Sequence, residues 1–184
     1  TDGYLSTSSD VASLMVFSHQ AHMTNLLIRA GWEARALDPA LHPDAAHDPA
    51  ALATVLRGVA AEVVDYMLFV EEAPLTGPMQ GRTGFAARFA SAGPRDKAGR
   101  SLRDLDLTRR LMRYPCSYLI DSPMFNALPT SVKSEIYQRL WQVLSGQDKD
   151  ARYRSALPLA DRKAVVEILR DTKPDLPAYF KPVT

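Results

Sequence analysis

A single cysteine, Cys116, stands among 184 residues, so this chain can form neither an intramolecular disulfide nor a C-x-x-C metal or haem-attachment site. Long apolar runs are missing too. The longest, residues 63–70, is interrupted by Asp65 and falls far short of the about 18–20 residues a membrane-crossing helix needs. No G-x-x-x-x-G-K-[ST] phosphate loop occurs, and nothing repeats at periods of about 20–50 residues. A net charge of +1 argues against the strongly basic domain that nucleic-acid binding requires. The chain opens on Thr1 rather than Met and reads as a fragment or a processed protein.

What is present is globular: 46% apolar and 23% charged residues leave room for a core, and the length fits one domain over 1–184. The bland net charge conceals a partition. Residues 1–80 hold three basic and ten acidic side chains, or −7; the remaining nineteen basic and eleven acidic give +8. Such polarity predicts contact between the halves, with Glu71 or Glu72 near residues 82–113, or else a basic face turned to an anionic partner.

Helical spacing dominates, and the expected fold is all-α: a single irregular bundle of about five to six helices joined by long Pro/Gly-rich connectors. A first helix over residues 11–37 follows Ser8, Ser9 and Asp10, all good N-caps. Its apolar stripe uses Met15, Val16, Met23, Leu26, Leu27 and Ala30. After a proline-rich connector (38–49), Asp48 caps and Pro49 opens a second helix, expected to reach about Glu72 before Pro74 stops it. Leu52, Leu56, Val59, Val63 and Val70 mark its core seam. A basic, Gly/Pro-rich segment (74–100) contains a short helix capped by Thr83. Another short helix is expected over 105–113, with a further start at Ser122. A helix over 130–145 precedes Gly146, a last one covers 159–171, and an extended tail occupies 172–184.

Three constellations could carry chemistry. His19 shares a face of the first helix with His22, three residues on, and with Met23, four residues on, and imidazole and thioether groups are ligands for haem iron or copper. His19 also sits on the apolar stripe, where it must bond a protein acceptor, ligate a metal or haem, or meet an interface. Arg95, Lys97 and Arg100 share a glycine-bearing loop suited to an anion or an acidic partner. Cys116, between Tyr114 and Tyr118, is a possible reactive thiol if His19 or His22 lies near enough to act as its base.

The chain also resembles an uncharacterised family of bacterial exported proteins. The resemblance rests on TDGYL (1–5), SDV (9–11), the helix holding His19, Gln20 and NLLIR (25–29), FVEEAPL (69–75), GPRDK (93–97), GRSLRDLDL (99–107), RYPCSYLI (113–120) and ILRDTKP (168–174). Members of that family look like carboxy-terminal regions of longer proteins associated with c-type cytochromes. The resemblance implies a periplasmic setting beside electron transfer, with a cytochrome or larger complex as protein partner, and supplies no catalytic residue. The leading expectation is therefore a non-catalytic helical accessory or interaction domain. A haem- or metal-binding redox domain built on His19 with His22 or Met23, and an enzyme dependent on Cys116, stand as alternatives.

Overall fold

The carboxylate of Asp10 accepts the backbone N–H of Ser13 at 3.2 Å and so starts α1 (Val11–Ala36). The computed structural model describes residues 10–42, 48–81 and 83–184; Ser8, Ser9, residues 43–47 of the connector and Arg82 lie outside that description. Asp10 also reaches across the chain, accepting the Thr83 hydroxyl at 2.7 Å and its backbone N–H at 3.1 Å. Gly81 permits this approach, because a Cβ there would lie 2.8 Å from the Asp10 carboxylate. With Thr83 so engaged, Gly84 at φ 70° occupies the cap of α3 (Phe85–Ser91), correcting the expectation that Thr83 would cap it.

Asp48 and Pro49 open α2 (Pro49–Met67) as expected. Its end is earlier than the spacing predicts. Phe69 adopts a left-handed backbone, φ 55°, and Val70 N–H reaches back to Asp65 C=O at 3.1 Å. Residues 68–72 thus form a tight turn rather than a final helical turn, which removes Glu71 and Glu72 from a helix C-terminus.

Downstream lie a 3₁₀ turn (Tyr118–Asp121), α4 (Pro123–Asn126), α5 (Thr130–Leu144), α6 (Ala151–Ala156) and α7 (Leu159–Thr172). α6 is a helix the sequence reading does not anticipate; Asp150 starts it by accepting Arg152 N–H at 2.9 Å. The described residues contain no strand beyond an isolated antiparallel bridge between Leu105 and Met112. That bridge corrects the helix expected over 105–113. Asp106 accepts the backbone N–H groups of Thr108 and Arg109 at 3.0 and 3.1 Å, and this local turn outcompetes helix formation.

α2 is central, packed along α5 on one side and α1 on the other. Val63, Val64 and Met67 of α2 are fully buried with Ile136, Leu140 and Leu144 of α5 and Val165, Val166, Ile168 and Leu169 of α7. The all-α architecture follows from these three seams. The tail is not simply extended: turns at 174–175 and 178–179 fold it back, and buried Phe180 lies edge-on to Tyr137 and against Trp141.

Candidate functional site

The early end of α2 makes a cleft. Where α2 ends and the chain turns back at Phe69, residues 66–72 and α1 together line about 590 Å³. Met15, Ser18, His19, His22 and Leu26 form one wall, Tyr66, Phe69 and Val70 the other, and Leu111 closes one end. Glu62, Asp65, Glu71 and Glu72 supply carboxylates around it.

His19 forms the floor. Its ring lies nearly parallel to Tyr66, centroids 5.2 Å apart, and to Phe69 at 4.6 Å. Nε2 shares a 2.8 Å hydrogen bond with Ser117 Oγ, the donor set by the imidazole tautomer. Ser117 is itself fixed: its Oγ accepts Leu119 N–H at 3.3 Å, and its own N–H donates to Met67 C=O at 2.8 Å. Of the three fates open to His19, a bond within the protein is present. Burial, helped by the charge of His22, lowers its pKa to about 4, so at neutral pH the ring is uncharged. His22 lies higher in the cleft, its ring 4.3 Å from that of Tyr66. Met23 shares the helix face but is wholly buried and lines none of the cleft, so the proposed trio is divided between cleft and core.

The carboxylates differ in state. Asp65 is held by Arg152 at 2.9 Å and by the Tyr153 hydroxyl at 2.5 Å, and Glu62 by Arg29. Glu72 accepts Leu111 N–H at 3.2 Å, yet burial outweighs that bond and the nearby Arg110, raising its pKa above the usual range. Burial likewise raises the Tyr66 phenol, with the Glu72 charge adding to the effect. A partly desolvated carboxylate beside stacked rings favours a cation with apolar substance.

The basic loop behaves otherwise. Arg95 donates to Gly99 C=O, Ala90 C=O and Asp104; Lys97 meets Asp171 at 3.1 Å; Arg100 binds both Asp96 and Glu167 at 2.7 Å. These three cations, expected to bind an anion or partner, already serve acids of their own half. The halves do touch, through Glu72 with Leu111 and through Asp65 with Arg152, but among the described residues Arg152–Asp65 is the ion pair joining them. Ion pairing among the described residues is thus mostly internal to each half, and the −7 and +8 excesses meet through this one pair.

Cys116 is fully buried, its Sγ 4.0 Å from Ser117 C=O, and burial pushes its pKa far above the ordinary thiol range. A thiol so placed is a packing group and not an activated nucleophile. Among the described residues, no three His, Cys, Asp or Glu side chains gather as a metal-binding set.

Tyr66, Phe69 and Ser117 complete the site, and no sequence motif marks them as functional. Tyr66 follows Val63 of the α2 seam by three residues and carries no motif of its own, and Ser117 lies 98 residues from His19, beyond any local pattern. Comparison with protein-family models, curated proteins and solved structures finds no match.

Proposed function

We propose that this chain is a non-catalytic binding domain whose α1–α2 cleft receives a cationic, partly apolar segment of a protein partner. One observation carries the reading: an open cleft floored by the stacked His19, Tyr66 and Phe69 rings and bordered by Glu72, which lacks a full counter-charge. Groups that would serve catalysis are turned inward, His19 to Ser117 and Cys116 into the core. The resemblance to exported, cytochrome-associated proteins adds a setting to the proposal, namely a periplasmic assembly with a c-type cytochrome as partner. Lysines on such a partner would be attracted to the acidic cleft, and that attraction would be screened by salt.

Two probes test this, a basic c-type cytochrome and phenethylammonium as a small aromatic cation. Both should shift the amide resonances of Tyr66, Phe69 and Glu72. The double variant E71Q/E72Q should weaken cytochrome binding several-fold, more at low salt than at high. If phenethylammonium binds and the cytochrome does not, the cytochrome setting fails and the cleft reading stands. Silence towards both sinks the cleft reading. A Soret band or stoichiometric metal in the purified protein, lost in His19→Ala with helicity intact, would replace it with the cofactor reading.

A further inference from the structure

α1 carries two apolar faces, and only one is used. Ala12, Val16, His19, Met23, Leu26, Leu27 and Ala30 face the core. On the opposite side Leu14, Phe17, Ala21, Ile28 and Trp32 recur at spacings of three, four and seven residues, a seam of heptad type. They face outward: Phe17 and Trp32 are 69% and 67% exposed, Leu14 and Ile28 55% and 53%. From Val11 to Ile28 the helix holds no Asp, Glu, Lys or Arg. A solvated helix face normally carries charge, so this composition calls for a cover.

We infer that the cover is a second copy of this chain, docked with its α1 antiparallel to the first. Three observations favour this occupant. The seam is nearly symmetric about Met23: Leu14 and Trp32 lie nine residues to either side, and Phe17 and Ile28 six and five. An antiparallel copy therefore sets Leu14 against Trp32 and Phe17 within one residue of Ile28, with small Ala21 opposite Asn25 of the other copy beside the two-fold axis. The face is neutral, so a two-fold meeting brings no like charges together. Its size also fits. At about 150–250 Å² for a whole aromatic side chain, the exposed portions sum to roughly 500 Å² per copy. With the rim residues of both copies this approaches the about 1,200–2,000 Å² of stable interfaces. A lipid surface suits it less, because interfacial helices flank their apolar face with Lys and Arg. Here the first basic residue is Arg29, already bound to Glu33 and Glu62.

This dimer is independent of the cleft reading, since Phe17 and Trp32 do not line the cleft. Sedimentation equilibrium across a dilution series should give a wild-type mass twice that of the chain, falling to one chain in Phe17→Glu. Far-ultraviolet ellipticity and phenethylammonium binding should persist in that variant, because Phe17 is 69% exposed and belongs to neither the core nor the cleft. Orientation is read by oxidative cross-linking: L14C/W32C should join two copies covalently, whereas L14C alone should not. A wild type that is monomeric throughout overturns the inference, as does a dimer indifferent to F17E. A monomer that instead partitions onto phosphatidylcholine or phosphatidylglycerol vesicles gives the face to lipid and overturns it equally. Cross-linking by L14C alone overturns the antiparallel arrangement.

Discussion

The α2–α5 pair and the loop over residues 93–113 hold their shapes by opposite means. Between the two helices the contacts are apolar and interchangeable in kind: Val63, Val64, Ile136, Leu140 and Leu144 exclude water together, and no one polar contact defines the arrangement. The loop anchors Leu102, Leu111 and Met112 in the core, but the path of its backbone between them is specified by directed bonds. The Asp96 carboxylate accepts the backbone N–H groups of Ala98 and Arg100 and the Arg100 Nε, at 3.0, 2.7 and 2.7 Å. Asp104 accepts Ser101 N–H, and Gly99 supplies the left-handed residue at φ 77° that lets the chain reverse. A segment with seven basic residues and glycines resembles an anion cradle in composition, yet its few acids sit where backbone and guanidinium donors converge. Cations count as available only after their partners within the chain have been subtracted.

That contrast breaks most sharply at Val63. Replacing it with Asp puts an unpaired charge in the fully buried seam, at a cost above about 4 kcal/mol, comparable with the whole stability of many domains. Loss of the cooperative thermal transition is expected, and a melt near wild type would remove α2 from the centre of the fold.

His19 joins the two modes, being a buried polar group on an apolar helix face, and it makes stability depend on pH. Its pKa is about 4 in the folded chain and about 6.5 when unfolded, so between those values the unfolded chain binds a proton that the native chain excludes. Stability is therefore complete above about pH 6.5 and declines as pH falls towards 4, by on the order of 3 kcal/mol at most. Denaturant midpoints at about pH 7.5 and pH 4.5 should converge in His19→Gln, after allowance for groups common to both proteins. An unchanged difference would show that the ring is solvated.

Within the loop the expected effects are smaller and unequal. Asp96→Asn retains the shape but weakens the acceptors of three donors, and should cost about 1–3 kcal/mol, with faster amide exchange at Ala98 and Arg100. Burial opposes ionisation of Asp96, but the bonds from Arg100 prevail and its pKa is lowered. The contribution it makes is then present at neutral pH and disappears only under strong acid, below its ordinary range. Lys97→Ala removes a side chain that is 90% exposed and paired only with Asp171, so its effect should stay within about 1 kcal/mol. Equal losses at Asp96 and Lys97 would mean that the loop is held by general attraction and not by directed bonds.

Periodicity made the long elements legible. The seam of Leu56, Val59 and Val63, the cap at Asp48 with Pro49, and Gly146 after α5 each act over one or two helical turns, a range in which sequence and structure share a vocabulary. Reading failed where a side chain offered the backbone a local alternative, as Asp106 does over 105–113, and where Phe69 took a conformation unusual for a bulky residue. His19 was legible as a residue in need of a partner; that the partner is Ser117 was not.

By itself the sequence determined the helical class, the central place of α2 and the inability of this chain to form an internal disulfide or a haem-attachment motif, because spacing and composition are properties of the chain alone. Tertiary structure decided which charges remain open, that Met23 parts from His19 and His22, that Cys116 is sealed, and that the turn at Phe69 opens a cleft. Those outcomes depend on distances between residues far apart in the chain, and burial, hydrogen-bond pairing and pKa are functions of such distances.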